Sequence, residues 1–144
     1  MEQVIAVSAC LLGYHCKYDG GHNLDVRVIE KVRGMKVIPI CPETLGGLTT
    51  PRIPSEIDAE GTVVNLKGEI MTRFFERGKL ATLLMLKQEN CTQAILKDGS
   101  PSCGTTFVYD GTFTHTKIPG EGITCQYLKA NGIKMINVTE EAVL

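Results

Sequence analysis

Apolar residues in this chain alternate between short unbroken runs and longer stretches with helical spacing. Val4-Ile5-Ala6-Val7 is a continuous, partly β-branched run of the kind that suits a strand buried on both faces. Met35-Lys36-Val37-Ile38-Pro39-Ile40 reads as a second strand, Ala94-Ile95-Leu96 as a third, and residues 133–138, ending at Val138, as a last one. A helix is predicted from a cap near Asn23, with Leu24, Val28 and Val32 on one face and Gly34 as its stop. A longer helix is predicted over 69–88, with Ile70, Phe74, Leu80, Leu83, Leu84 and Leu86 as its apolar face and Gly78 as a weak point. A third runs over 122–131 and stops at Gly132.

Two stretches read differently. Residues 42–58 carry Pro42, Pro51, Pro54 and the Gly46-Gly47 pair, which predict an extended loop, followed by a short piece of strand at Thr62-Val63-Val64. Residues 105–117 alternate, and Tyr109-Asp110-Gly111-Thr112 contains the Asp-Gly of a tight hairpin turn. The whole pattern predicts one α/β domain over residues 1–144. Its mostly parallel sheet is flanked by helices in a three-layer, Rossmann- or flavodoxin-like arrangement, with a small β-hairpin near the C-terminal third.

Composition narrows the function. The chain has 144 residues and a formal net charge of -1, with no Lys/Arg cluster denser than Lys31-Val32-Arg33. A basic stripe for a phosphate backbone is missing, which argues against nucleic acid as the main partner. The N-terminal apolar run lacks a basic n-region and is too short for a signal peptide, and no run is long enough to span a membrane. A cytoplasmic location without a membrane partner is the expectation. The pattern leaves the oligomeric state open.

The six cysteines then need a role, because structural disulfides are rare in that compartment. There is no C-x-x-C pair. Cys10, Cys41 and Cys103 each fall just past the C-terminal end of a predicted core strand, where open parallel sheets bind their ligands. A single cysteine is more often simply buried. Three at equivalent positions, each in a Gly/Pro-rich loop, point to a metal site instead. Soft thiolates select zinc, copper(I) or iron–sulfur clusters. Spacing leaves zinc and iron–sulfur both open, because Cys16 could supply a fourth thiolate. Cys91 and Cys125 lie away from strand ends and read as structural, and His115 reads as a solvated hairpin side chain.

The segments Ser8-Ala9-Cys10-Leu11-Leu12-Gly13, Tyr18-Asp19-Gly20-Gly21-His22, Cys41-Pro42-Glu43, Gly46-Gly47-Leu48, Pro51-Arg52 and Ser100-Pro101-Ser102-Cys103-Gly104 occur in that order. Together they resemble the domain of unknown function 523 family, whose characterised members are thiouracil desulfurases. The resemblance spans about residues 4–138. It departs from the family pattern at Ile53 and Ser55, where relatives commonly carry Pro and Ala.

The resemblance implies an oxygen-sensitive [4Fe–4S] cluster on Cys10, Cys41 and Cys103, with one open iron that takes the sulfur of a small thiolated pyrimidine. It also implies catalytic roles for Glu43 and Ser100. Asp19, His22, Arg52 and Ser102 are further candidates for binding substrate, although Asp19 equally suits a turn and Arg52 an ion pair with Glu56. Lys97 and Asp98 follow a core strand and read chiefly as a surface salt bridge.

Competing readings from the residues are a structural zinc module on Cys10, Cys16, Cys41 and Cys103, and a persulfide or thiol-redox enzyme with Cys103 as nucleophile. A third keeps the cluster and acts on a thiolated tRNA base, which the missing basic groove disfavours.

Overall fold

The structure, a computed structural model, describes residues 3–137. Four strands, β1 (Val4–Ser8), β2 (Lys36–Ile40), β5 (Gln93–Ile95) and β8 (Lys134–Met135), form one parallel sheet in the order β2-β1-β5-β8. Pro39 lies on β2, an edge strand, where its missing N–H disturbs the ladder least. Val138, the expected end of the last strand, lies outside the described residues.

The strand alternation sorts side chains into two cores. Ile5, Val7, Ile95 and Ile136 pack with Val28 of α1 (Val26–Lys31) and Val32, the residue after it, on one face. Ala6, Ile38, Ile40 and Ala94 pack with Leu86 of α3 (Thr72–Gln88) and Cys125 and Leu128 of α4 (Ile123–Ala130) on the other. The result is the expected three-layer α/β arrangement. Among the described residues no helix is long and apolar enough to cross a membrane.

Several local expectations are corrected. α1 begins later than Asn23: Asp25 is its cap, accepting from the Arg27 N–H at 2.9 Å, and Leu24 is exposed. Asn23 is instead tied to the turn after β1, its backbone N–H donating to the Cys10 carbonyl at 2.9 Å. The stretch 42–58 is not all loop. It holds a one-turn helix, α2 (Pro42–Leu45), with Pro at its first position, and a strand, β3 (Ser55–Ile57), antiparallel to β4 (Val63–Asn65).

The long helix starts at Thr72 rather than 69, because Ile70 is bridged to Val64 and the Thr72 hydroxyl accepts from the Val63 N–H. Its buried face is also rotated from the expected one. Phe75, Gly78, Thr82 and Leu86 are buried, whereas Ile70, Leu80 and Leu84 are 70%, 54% and 61% exposed. The cause is a backbone contact with α2. A Cβ built on Gly78 would stand 2.1 Å from the Pro42 carbonyl oxygen, and one on Gly46 2.0 Å from that of Phe74. Gly78 is therefore an interface residue rather than a weak point.

The hairpin of the C-terminal third pairs β6 (Phe107–Tyr109) with β7 (Lys117–Pro119), but Asp110-Gly111 is no tight turn. The connection occupies residues 110–116.

Candidate metal centre and active site

Strands β2, β1 and β5 are neighbours, so their C-terminal ends lie side by side. β1 leads through Ser8 into a 3₁₀ turn (Ala9–Leu12) that holds Cys10; β2 leads directly into Cys41, the residue before α2; β5 leads into the 98–104 loop that holds Cys103. The Lys97 N–H donates to the Ser8 hydroxyl at 2.8 Å, joining the ends of β1 and β5. Cys10, Cys16, Cys41 and Cys103 all line one pocket of about 460 Å³, and all are free thiols.

Each thiol is held by its own contacts. Cys10 Sγ accepts from the Asn23 amide at 3.4 Å, and Cys41 Sγ points to the Cys16 carbonyl at 3.9 Å. Cys103 is only 5% exposed.

Burial pushes the Cys10 thiol above its ordinary value, and it pushes Cys103 well above, helped there by the nearby Glu43 charge. Cys16 is pushed up to about 12, by burial first and then by its neighbours Cys41 and Cys10. Thiols shifted this way stay protonated until a metal displaces the proton, and they are poor nucleophiles. That removes the electrostatic basis for reading Cys103 as a redox nucleophile. Among the described residues, no group of three or more His, Cys, Asp and Glu side chains is placed to hold a metal ion.

Glu43 stands in the same pocket, on the single turn of α2. Its Oε1 accepts from Arg52 Nε at 3.2 Å and its Oε2 from the Ser100 hydroxyl at 3.4 Å. Side-chain exposures of 8% for Arg52 and 17% for Glu43 make this a largely desolvated pair, where losing either partner is costly. Arg52 does not pair with Glu56, as its spacing had allowed. Its remaining donors reach the Thr49 carbonyl, the Thr50 hydroxyl and, at 2.9 Å, the Cys16 carbonyl. The guanidinium therefore orients protein groups through bonds from all three of its nitrogens.

Ser100 is equally committed. Its hydroxyl oxygen accepts the Ser102 and Cys103 N–H groups, both at 3.0 Å, while its proton goes to Glu43. Ser102 is fully buried, hydrogen-bonded to the Thr124 hydroxyl at 2.8 Å, and outside the pocket lining. Asp19 and His22 also fall outside the lining. Asp19 shapes its turn by accepting from the Gly21 N–H, and His22 Nδ1 accepts from the Leu24 N–H.

The loop carrying Cys103 is fixed at both ends. Among the described residues Asp98 has no salt-bridge partner. It accepts from the N–H groups of Gly99, Thr105, Thr106 and Phe107 and from the Thr106 hydroxyl. Burial opposes ionisation of this carboxyl, but the Thr106 hydroxyl and the backbone donors outweigh it and hold Asp98 down at about 2. At the other end, the free N–H groups that open α4 donate to the loop, Ile123 to the Pro101 carbonyl and Thr124 to the Ser102 carbonyl. The approach requires glycine at 122, where a Cβ would meet the Ser102 carbonyl at 2.4 Å.

Sequence reasoning missed one side of the pocket. Phe107, Tyr109, Phe113 and His115 line it from the β6–β7 hairpin. Aromatic residues alternating through an otherwise polar hairpin were the available signal.

The 2-thiouracil desulfurase family model matches residues 5–140. An uncharacterized protein of Bacillus subtilis (strain 168), YbbK, is 38% identical over 146 residues, covering 95% of this chain and 97% of that protein. Among solved structures, a [4Fe–4S]-dependent thiouracil desulfidase, TudS, matches with a TM-score of 0.82 at 38% identity, covering 95% of this chain and 91% of that one. With its motifs, its fold and a family match over nearly its full length, the chain belongs to the 2-thiouracil desulfurase family.

Proposed function

We propose that this protein is a [4Fe–4S]-dependent enzyme that hydrolyses the C–S bond of a small thiolated pyrimidine such as 2-thiouracil. The observation that carries this reading is the convergence of Cys10, Cys41, Cys103 and the Glu43–Arg52–Ser100 network on one pocket at the ends of three adjacent strands.

The donor set fits the cluster. Three thiols are soft ligands, and each stands on a different strand end. A zinc tetrahedron would need four ligands gathered round one ion, whereas a cubane on three thiols gives each thiolate its own iron and leaves one iron without a protein ligand. When bound, such a cluster supplies a Lewis acid for the substrate's exocyclic sulfur.

The rest is done by this chain's own groups. Glu43 accepts a proton from the water that attacks the ring carbon bearing sulfur. Arg52 and Ser100 fix the orientation of its two oxygens, so that the carboxylate meets the water without rearranging. Carbon gains oxygen as it loses sulfur, the products are uracil and hydrogen sulfide, and no electrons are transferred overall. The pocket's aromatic side gives the ring an apolar surface.

The test is anaerobic reconstitution with iron and sulfide, followed by measurement of uracil formed from 2-thiouracil. Turnover is expected only in the loaded protein. Glu43→Gln is expected to keep its iron and lose about 10²–10⁴ in kcat, the usual weight of a general base. Full turnover by loaded Glu43→Gln removes Glu43 from this role, and absence of turnover by loaded wild type removes the reading.

A further inference from the structure

Phe113 and His115 adopt positive φ, 58° and 59°, and among the described residues Asn90 is the one other non-glycine residue that does so. Both sit in the 110–116 connection and both line the pocket. A left-handed backbone at a bulky side chain is strained and persists where its surroundings enforce it.

At Phe113 the enforcing group is Glu56 on β3, a residue the proposed chemistry does not use. Its Oε1 accepts from the Gly111 N–H at 3.0 Å and the Phe113 N–H at 3.2 Å. Gly111 packs so closely on the next residue of that strand's exit that a Cβ there would stand 2.6 Å from Asp58 Cα. On the other side of the connection, the exposed hydroxyls of Thr112, Thr114 and Thr116 hydrogen-bond in series at 2.6 and 2.8 Å. Alternate residues are thereby turned outward, while the half-buried Phe113 and the exposed His115 line the pocket. The ring of Phe107 meets that of Tyr109 edge to face at 5.9 Å and continues the same aromatic surface.

We propose that Phe113 and His115 are the specificity-determining wall for the substrate ring, and that Glu56 is the positioning residue that holds Phe113 there. This rests on the desulfurase reading. With the sulfur directed to the thiol end of the pocket, the flat ring stacks on Phe113 and its far edge meets the His115 imidazole, a hydrogen-bonding group suited to a ring carbonyl or N–H.

The test uses anaerobically loaded protein with 2-thiouracil, and in parallel calorimetric titration of 2-thiouracil into the same samples. Phe113→Gly and Glu56→Ala are expected to raise KM and Kd about tenfold, with kcat changed less than threefold and the cluster's visible absorbance unchanged. Glu56→Gln, which keeps an acceptor oxygen, is expected to recover most of the affinity lost in Glu56→Ala. Phe113→Gly relieves the strained backbone, so its melting temperature is expected to match or exceed that of wild type, which separates lost recognition from lost folding.

Unchanged KM and Kd in both Phe113→Gly and Glu56→Ala overturn the wall while leaving the desulfurase reading intact. Binding by wild type without turnover, with weaker binding by the variants, keeps the wall and overturns the reading. No binding of 2-thiouracil by loaded wild type overturns both.

Discussion

The floor of the pocket and its wall are built in opposite ways. The floor is an extension of the sheet: Cys10, Cys41 and Cys103 follow strands whose central residues Ile5, Ala6, Val7, Ala94 and Ile95 are almost wholly buried. The wall is a two-stranded hairpin with exposed β7 residues, tied to the rest of the pocket by two carboxylates, Asp98 at its base and Glu56 at its tip. Hydrophobic burial sets the first and directed hydrogen bonds set the second. A local opening of the wall exposes one buried core residue of β6, Val108, whereas moving the floor disturbs both hydrophobic clusters. In the proposed function, the floor is a ligand platform and the wall a recognition surface that can be altered separately.

Three experiments probe that contrast, beginning with the largest effect. Cys103→Ser should abolish retention of iron and acid-labile sulfide on reconstitution, whereas Cys16→Ser should hold both at wild-type levels. Iron and sulfide analysis of the two variants decides whether the floor is three thiols or four.

Next comes the seam beneath the floor, where α2 and α3 touch backbone to backbone. Gly78→Ala places a Cβ 2.1 Å from the Pro42 carbonyl oxygen, an atom that cannot swing aside. A destabilisation of about 3 kcal/mol is expected in denaturant titration, the upper part of the range for overpacking. Because α2 starts beside Cys41, cluster loading should weaken as well. Wild-type stability in this variant would show that α2 drifts freely and that the floor is softer than described.

The smallest effect concerns Asp98, where floor and wall meet. Its folded value of about 2 lies below the ordinary 3.8, so it contributes stability above pH ~4 that is lost as pH falls from ~4 to ~2. Asp98→Asn should lower stability at neutral pH by about 1–2 kcal/mol, after allowance for partial solvent screening. It should also flatten the acid limb between pH 4 and 2. Thermal melts over that range check both, and an unchanged acid limb would remove Asp98 from the hinge between the two regions.

The floor was legible in the sequence because its signal is hydrophobic. Unbroken apolar runs mark buried parallel strands, and a cysteine just beyond each run needs only strand adjacency to be brought to one rim. What escaped was specified by close approach or by polar contacts across long sequence separations. Gly78 carries no hydrophobic signal, yet its lack of a side chain lets α2 lie against α3, and this rotated the expected apolar face of the helix. Arg52 has carboxylates nearby at both Glu43 and Glu56, and only the fold assigns it to the first and Glu56 to the hairpin tip. Asp110-Gly111 has the composition of a tight turn, but the Glu56 carboxylate offers the Gly111 N–H a different partner and the loop opens out. Asn23 suited a helix cap and was drawn instead to Cys10.

The Ser100 hydroxyl has one consequence beyond its geometry. A hydroxyl owns a single proton, and here that proton points to Glu43 while the oxygen receives the amides that shape the backbone at Cys103. In the proposed reaction Glu43 takes up a proton and ceases to be a good acceptor, which frees the hydroxyl to turn and alters the hydrogen bond at the Cys103 amide. A chromophore held by Cys103, as proposed, should then report in its spectrum the protonation of Glu43.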